Sequence, residues 1–396
     1  MTNILEYQPL KAIYLLLFTL ILLLIKLPVW TLNYLPRSRR PRTAWTLGRS
    51  LIVRTLQELW TLKVDVRGQP APVVEVADSE LTDAKFTWVA PLPDKLLCGE
   101  VRRVAEITGA EPARIAGYWL LKQGAPWTGP RAKPGEKTVL HMHGGGFRIG
   151  TANPSDVTAN FTRGILKHSH SLDRTFAIDY RLTSSAPNPV ANPFPTALLD
   201  TIAGYRYLVQ EAGFEPQNIT VAGDSAGGNL AIGLARYLIE NPIPSLPPPG
   251  HILAVSPWLD LSMSRHGPTS SATLSATTDI FQLKPGELFE EYAVVSLLGP
   301  MDFEVARTNR YLSPVSLHVK SEGGLFQGFP ETYVVAGAPE RLMDDSTALI
   351  EMMRADGVKV IADISPDAVH DFVVFTWHEP ERTDTLKRVS MWIDMM

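Results

Sequence analysis

The sequence predicts an α/β fold in which a mostly parallel sheet is covered by helices on both faces. Three observations predict it. Strand-like and helix-like apolar patterns alternate from about residue 115 to the C-terminal end. The strand-like runs are aliphatic throughout rather than alternately polar, as strands buried on both faces must be. GDSAGG (223–228) stands between the strand-like ITVAG and the helix-like AGGNLAIGLARYL, a strand–turn–helix setting.

The chain has 396 residues, enough for one large α/β domain with smaller additions. It is 45% hydrophobic and 20% charged with a formal net charge of −4, and it has no basic-aromatic stripe, so no nucleic-acid partner is expected. Its one cysteine, Cys98, excludes an intrachain disulfide.

The first element is an uncharged aliphatic run, AIYLLLFTLILLLI (12–25), extended past Lys26 by LPVWTLNYLP. With Lys26 snorkelling, and Trp30 and Tyr34 at the interface, it is expected to anchor the chain to a membrane. A cleaved signal is disfavoured because no small-x-small site follows and no basic segment precedes it. An interfacial helix is the other alternative. Residues 1–40 are therefore expected to be an anchor with a basic flank, in the endoplasmic reticulum.

Arg37, Arg39, Arg40, Arg42, Arg49 and Arg54 follow with no acid before Glu58, which places the body on the cytoplasmic side. The sequons at Asn160 and Asn218, candidate N-glycosylation acceptors, are usable only on the opposite side. The two signals leave orientation open.

Residues 41–95 are expected to be an N-terminal cap segment. Within it, 45–62 place Leu47, Leu51, Ile52, Leu56 and Leu59 near helical spacing, an amphipathic helix, and a loop rich in Pro and acids runs on to about residue 95. Residues 96–396 are then the catalytic domain. Its expected strands are GYWLL, KTVLHMH, TFAIDYRL, NITVAG, HILAVSP, ETYVVAG and VKVIADI. Its expected helices run from Pro195 to Leu208, Ala226 to Ile239 and Ser346 to Arg354. NPIPSLPPPG (241–250) is a surface connector. Residues 262–310 form a long insertion between two core strands, helical in its middle, and insertions of this length commonly serve as lids.

The chemistry centres on GDSAGG. Ser225 follows Asp224 at a sharp strand-to-helix turn, where Gly223 and Gly227 let strand and helix pass closely. The turn presents the hydroxyl above the sheet at the positive end of a helix. A glycine-rich turn that binds phosphate is the bland alternative.

A serine nucleophile needs a base. His370, in the loop after the last expected strand, fits the order nucleophile–acid–base, whereas His378 is expected on the surface of a helix. The acid is expected on the loop after ETYVVAG. Glu340 is favoured over Asp344, because Asp344 and Asp345 stand where a helix N-cap is expected.

HGGG (143–146) follows the third core strand, about 80 residues before GDSAGG. Backbone N–H groups stabilise the oxyanion of acyl transfer, and bare glycines let it approach. Gly144, Gly145 and Ala226 are the expected donors. His143 is expected to support the loop rather than act as a second base, and Gly146 completes the motif.

HGGGF, YRL (180–182), Phe194, Pro195 and Asp200, GDSAGG, SPWLDL (256–261) and the terminal HDF resemble, in this order, the hormone-sensitive-lipase family of carboxylic ester hydrolases. The resemblance covers about residues 115–396. It implies an α/β-hydrolase fold with a helical cap and ester hydrolysis without cofactor or metal. The family more often has Asp where Glu340 stands. With its apolar N-terminal segment the chain also looks like membrane-anchored steryl-acetate or arylacetamide deacetylases and esterases of secondary metabolism.

The expected substrate is a small acyl ester of an apolar alcohol, with no partner beyond substrate and membrane. Acyl transfer to a non-water acceptor and amide hydrolysis use the same residues. Relatives that act only as binding modules lack the histidine that is present here.

Overall fold

The computed structural model describes all residues except 1–4, 6, 63–74, 187, 282–288 and 321–323. Eight strands form one sheet: β1 (Ala84–Val89), β2 (Ile115–Leu121), β3 (Thr138–Met142), β4 (Arg174–Asp179), β5 (Ile219–Asp224), β6 (His251–Val255), β7 (Glu331–Gly337) and β8 (Val360–Ser365). Their order across the sheet is β1-β2-β4-β3-β5-β6-β7-β8. β2 runs antiparallel to both β1 and β4, and the pairs from β4 through β8 are parallel.

Chain and sheet order diverge around β3. The crossover from β3 leads to β4 on one side, and β5 returns to pair with β3 on the other. At such a reversal the loops leaving adjacent parallel strands splay apart and open a crevice beyond their carboxyl ends. Met142 of β3 lies opposite Gly223 of β5, so the HGGG and GDSAGG loops emerge side by side into that crevice.

Twelve helices are described. α1 (Leu10–Ile21) and α2 (Leu27–Tyr34) are joined by a π turn into one apolar helix, Leu10–Tyr34, of mean hydropathy 2.5. α3 (Leu47–Leu59) starts at Thr46, whose hydroxyl accepts the Arg49 N–H at 3.1 Å. α4 (Gly99–Thr108) ends on Gly109 at φ 70°, a left-handed turn that glycine adopts without strain.

The remaining helices are α5 (Ala159–His168), α6 (Thr196–Arg206), α7 (Ala226–Glu240), α8 (Ser271–Leu274), α9 (Phe289–Leu298), α10 (Phe303–Thr308), α11 (Met343–Ala355) and α12 (Glu381–Met395). Leu140 and Val221 point into a core with α6, α7 and α11, while their neighbours Val139 and Ala222 point into a second core with α3, α5 and α12. Burial of both faces explains why the strands read as unbroken apolar runs.

Three expectations change. AKFTWV, within the expected loop before residue 95, is the edge strand β1, half-buried against β2, so the sheet begins inside the segment read as N-terminal cap. α11 starts at Met343, so Asp344 and Asp345 lie within its first turn, and the N-cap position falls to Leu342. Lys26 does not snorkel. Its ammonium pairs with Glu58 of α3, and Arg54 lies 5.2 Å from the centre of the Trp30 ring, so α2 is docked on the body.

Candidate active site

Ser225 sits between β5 and α7 with φ 53° and ψ −115°, a conformation that L-residues avoid unless the surroundings impose it. The surroundings are glycines. A Cβ on Gly223 would meet the Gly227 carbonyl at 2.1 Å, and one on Gly227 would lie 2.0 Å from the Met142 oxygen. The Ser225 N–H donates to the Val255 carbonyl at 2.9 Å. Ala226 opens α7, so its N–H has no intrahelical acceptor.

The HGGG loop is tied to this turn by Asp224. Its Oδ1 lies 2.8 Å from His141 Nε2, and its Oδ2 accepts the Gly144 N–H at 2.8 Å. The Gly144 amide, expected to face an oxyanion, is thereby engaged. Gly145 and Gly146 turn at φ 111° and 60°, and their N–H groups have no acceptor among the described residues. His143 stacks on Tyr180 with ring centres 4.2 Å apart, and its carbonyl accepts the Tyr180 hydroxyl at 2.8 Å. Burial lowers its pKa, so the ring supports the loop as a neutral group.

His370 is buried on the loop after β8. Its Nε2 lies 3.1 Å from Asp371 Oδ2, its N–H donates to Asp279 Oδ1 at 2.9 Å, and its ring meets the Phe281 ring edge-on at 4.9 Å. Burial works to lower the imidazole pKa, but the carboxylates of Asp371, Glu340 and Asp279 outweigh it and raise it to about 10.

Glu340 is wholly buried on the loop after β7. Its Oε2 accepts Ser256 Oγ–H at 2.7 Å and the Gly337 N–H at 3.0 Å. Burial raises its pKa to about 8 against the opposing pull of His370. No hydrogen bond joins His370 to Glu340 or to Ser225 Oγ, and the buried atoms His370 Nδ1 and Glu340 Oε1 are both unpaired.

Asp344 is occupied elsewhere, its Oδ2 accepting the Ser271 N–H at 2.8 Å. Asp345 accepts the Leu259 and Asp260 N–H groups at 2.7 and 2.9 Å. His378 is fully buried rather than on the surface, because the chain turns under the His370 loop before α12. There its Nε2 accepts the Val369 N–H at 3.3 Å. Asn160 lies inside α5 with its side-chain nitrogen donating to the Val374 carbonyl at 3.3 Å, and Asn218 is half-buried in the turn before β5.

Three residues of this arrangement escape sequence reasoning. Asp371 is the neighbour of His370 in HDF, so adjacency alone was its signal. Ser256, at φ 42°, donates to Glu340 while its Oγ accepts the Asp371 N–H at 3.1 Å. Its signal was the stretch SPWLDL. Asp279 lies in the insertion, outside every motif.

Among the described residues no cluster of His, Cys, Asp and Glu is arranged to hold a metal ion. A strained serine at a helix start, bare amides on the adjoining loop and a buried imidazole among carboxylates are the parts of acyl-transfer chemistry. Residues 139–374 match the family described as alpha/beta hydrolase fold, and the chain belongs to that family.

An acetyl-hydrolase of Streptomyces hygroscopicus is 27% identical over 65% of this chain and 73% of its own length. The esterase LipU of Mycobacterium tuberculosis is 29% identical over 65% of this chain and 77% of its own. A hormone-sensitive lipase from a metagenome library, known by crystal structure, aligns with TM-score 0.56 and 29% identity over 71% of this chain and 80% of its own. Within the family the chain falls with the hormone-sensitive-lipase group, and it is a serine ester hydrolase.

Proposed function

We propose that the chain hydrolyses small acyl esters of apolar alcohols, with Ser225 as nucleophile, His370 as base and Glu340 as the group that orients the base. The observation that carries this reading is the Ser225 turn at φ 53°, set beside the unpaired amides of Gly145 and Gly146. With the Gly144 N–H held by Asp224, the oxyanion donors are Gly145, Gly146 and Ala226.

In the first half-reaction His370 Nε2 takes the Ser225 proton as Oγ attacks the ester carbonyl, and the same proton passes to the leaving alcohol. In the second, water attacks the acyl-serine with His370 again as base, releasing the acid and restoring Ser225. For this the imidazole leaves Asp371, the main charge that raises its pKa, gives up its extra proton, and turns Nδ1–H toward Glu340 Oε1. The unpaired state of both atoms favours that turn, since a buried polar atom without a partner costs about 1–3 kcal/mol. Catalytic hydrogen bonds are commonly incomplete before substrate arrives.

An apolar alcohol is expected to meet the apolar side chains of Phe147, Phe194, Leu230, Leu297 and Leu312, one turn along α7 from Ser225, which enclose only about 10 Å³ and have to part to admit it. Membrane attachment is assigned to the part of the apolar helix before Lys26, where Leu16, Leu17 and Leu24 are exposed. Ser225→Ala is expected to lower kcat on p-nitrophenyl acetate by about 10⁶-fold and to abolish covalent labelling by a fluorophosphonate. Turnover near that of the unaltered protein would remove the serine from the mechanism.

A further inference from the structure

The base and the acid stand on different loops, after β8 and β7, and each loop leaves a backbone N–H, of His370 and of Arg341, to be accepted from outside it. The link comes from the insertion. Asp279 is wholly buried, and three N–H groups converge on its two carboxylate oxygens. His370 N–H and Ile280 N–H donate to Oδ1 at 2.9 and 2.8 Å, and Arg341 N–H donates to Oδ2 at 2.6 Å. One carboxylate therefore holds the backbone of the base and the backbone of the residue after Glu340.

The same stretch grips the acid loop again. Thr278 Oγ donates to the Pro339 carbonyl at 3.0 Å, and Ser271 Oγ donates to the Arg341 carbonyl at 2.8 Å. Behind Asp279 stands α3. The buried amide of Gln57 donates from Nε2 to the Asp279 carbonyl at 2.6 Å.

Resting on the triad reading above, we propose that Asp279 is a positioning residue that locks the His370 loop to the Glu340 loop, and that Gln57 holds Asp279 in register. The residue must be a carboxylate. Asn offers one acceptor oxygen where three donors arrive on two, so its NH2 group would face an N–H and leave a buried donor unpaired. Asp279 touches neither Ser225 nor the expected path of the ester. Its effect reaches the reaction through the placement of the imidazole, where a shift near 1 Å costs about 10²-fold. It also adds negative charge beside an imidazole already faced by Asp371 and Glu340.

The test uses the full chain in detergent, with kcat on p-nitrophenyl acetate counted per serine labelled by a fluorophosphonate. Asp279→Asn is expected to lower kcat by about tenfold to a hundredfold with KM nearly unchanged. The acidic limb of its kcat–pH profile should move to lower pH, because a charge that favours imidazolium is gone. A residue that only stabilised the fold would reduce labelling and Tm but leave kcat per labelled serine and the pH limb in place, and that result overturns the proposal.

If Asp279→Asn does not fold, Gln57→Leu decides. It keeps the bulk, removes the donor, and is expected to lower kcat per labelled serine by about threefold to tenfold. Unchanged kcat in Gln57→Leu overturns the proposal in that case. Failure of the triad reading itself shows separately, as an active Ser225→Ala protein.

Discussion

His370 is surrounded by three carboxylates, and their existing bonds decide which of them orients it during turnover. Asp279 has both oxygens committed to backbone N–H groups. Asp371 sits on Nε2, the nitrogen that takes the Ser225 proton in the proposed mechanism, so in that mechanism its contact breaks before reaction. Glu340 has Oε2 fixed by Ser256 and Gly337 and Oε1 unpaired, which leaves one oxygen for Nδ1–H. Glu340→Gln is therefore expected to lower kcat by about 10³- to 10⁴-fold, as loss of a triad acid does. Asp344→Asn, whose carboxylate serves Ser271, should stay within about threefold of the unaltered rate. Steady-state kinetics on one soluble ester compare the two, and a larger loss in Asp344→Asn would reassign the acid. Sequence placed Glu340 on the loop after β7, where the structure has it, because loop order in this fold is local information. It could not see Asp279, because the bond to His370 joins residues 91 apart that meet only after the sheet has formed.

Where β5 turns into α7, the structure shows why glycine was the readable signal. The clashes at Gly223 and Gly227 are against backbone, which cannot move aside as a side chain can. Gly227→Ala is accordingly expected to destabilise the protein by about 3 kcal/mol or more, seen as a lower Tm or failure to fold. An unchanged Tm would mean that β3 and α7 are less closely packed than the Met142 oxygen contact requires. β1 was missed for the complementary reason. It is a short edge strand flanked by Pro and acids, and its pairing with β2 is visible only in three dimensions.

The loop between β8 and α12 hides a further dependence. His378 accepts the Val369 N–H, and burial, with Arg49 nearby, lowers its pKa to about 4. The unfolded chain thus binds a proton at that histidine between about pH 6.5 and 4 that the folded chain does not, and stability falls as pH drops through that window. His378→Phe should remove up to about 3 kcal/mol of that acid sensitivity, read as the change in urea midpoint between pH 7 and pH 4.5. If the pH dependence of the unaltered and substituted proteins is the same, His378 is not buried as a neutral ring.

Considered as a whole, the molecule joins its apolar helix to the catalytic loops through one continuous strap. α2 is fastened to α3 by Lys26 with Glu58 and by Arg54 over Trp30. Arg40 then closes the end of α2 through the Tyr34 carbonyl at 2.9 Å. Arg42 pairs with Asp367, and Trp45 Nε1 donates to the Asp367 carbonyl at 2.7 Å, three residues before His370. Arg49 binds Glu381 at 2.7 Å, and Gln57 reaches Asp279. The basic flank, read from sequence as a membrane-orientation signal, is thus partly consumed in holding the His370 loop. Arg37 and Arg39 remain exposed. Two deletions separate attachment from positioning. Removing residues 1–25 takes away the exposed apolar stretch and keeps the strap, so the protein is expected in the soluble fraction with kcat on p-nitrophenyl acetate within about threefold of the full chain. Removing residues 1–60 also takes away Arg42, Trp45, Arg49 and Gln57, and kcat per labelled serine is expected to fall by about tenfold or more. Fractionation, fluorophosphonate titration and kinetics on both proteins give the answer. Equal kcat in the two deletions would show that the loops hold the histidine without α3, and membrane retention after removal of 1–25 would place the attachment elsewhere on the body.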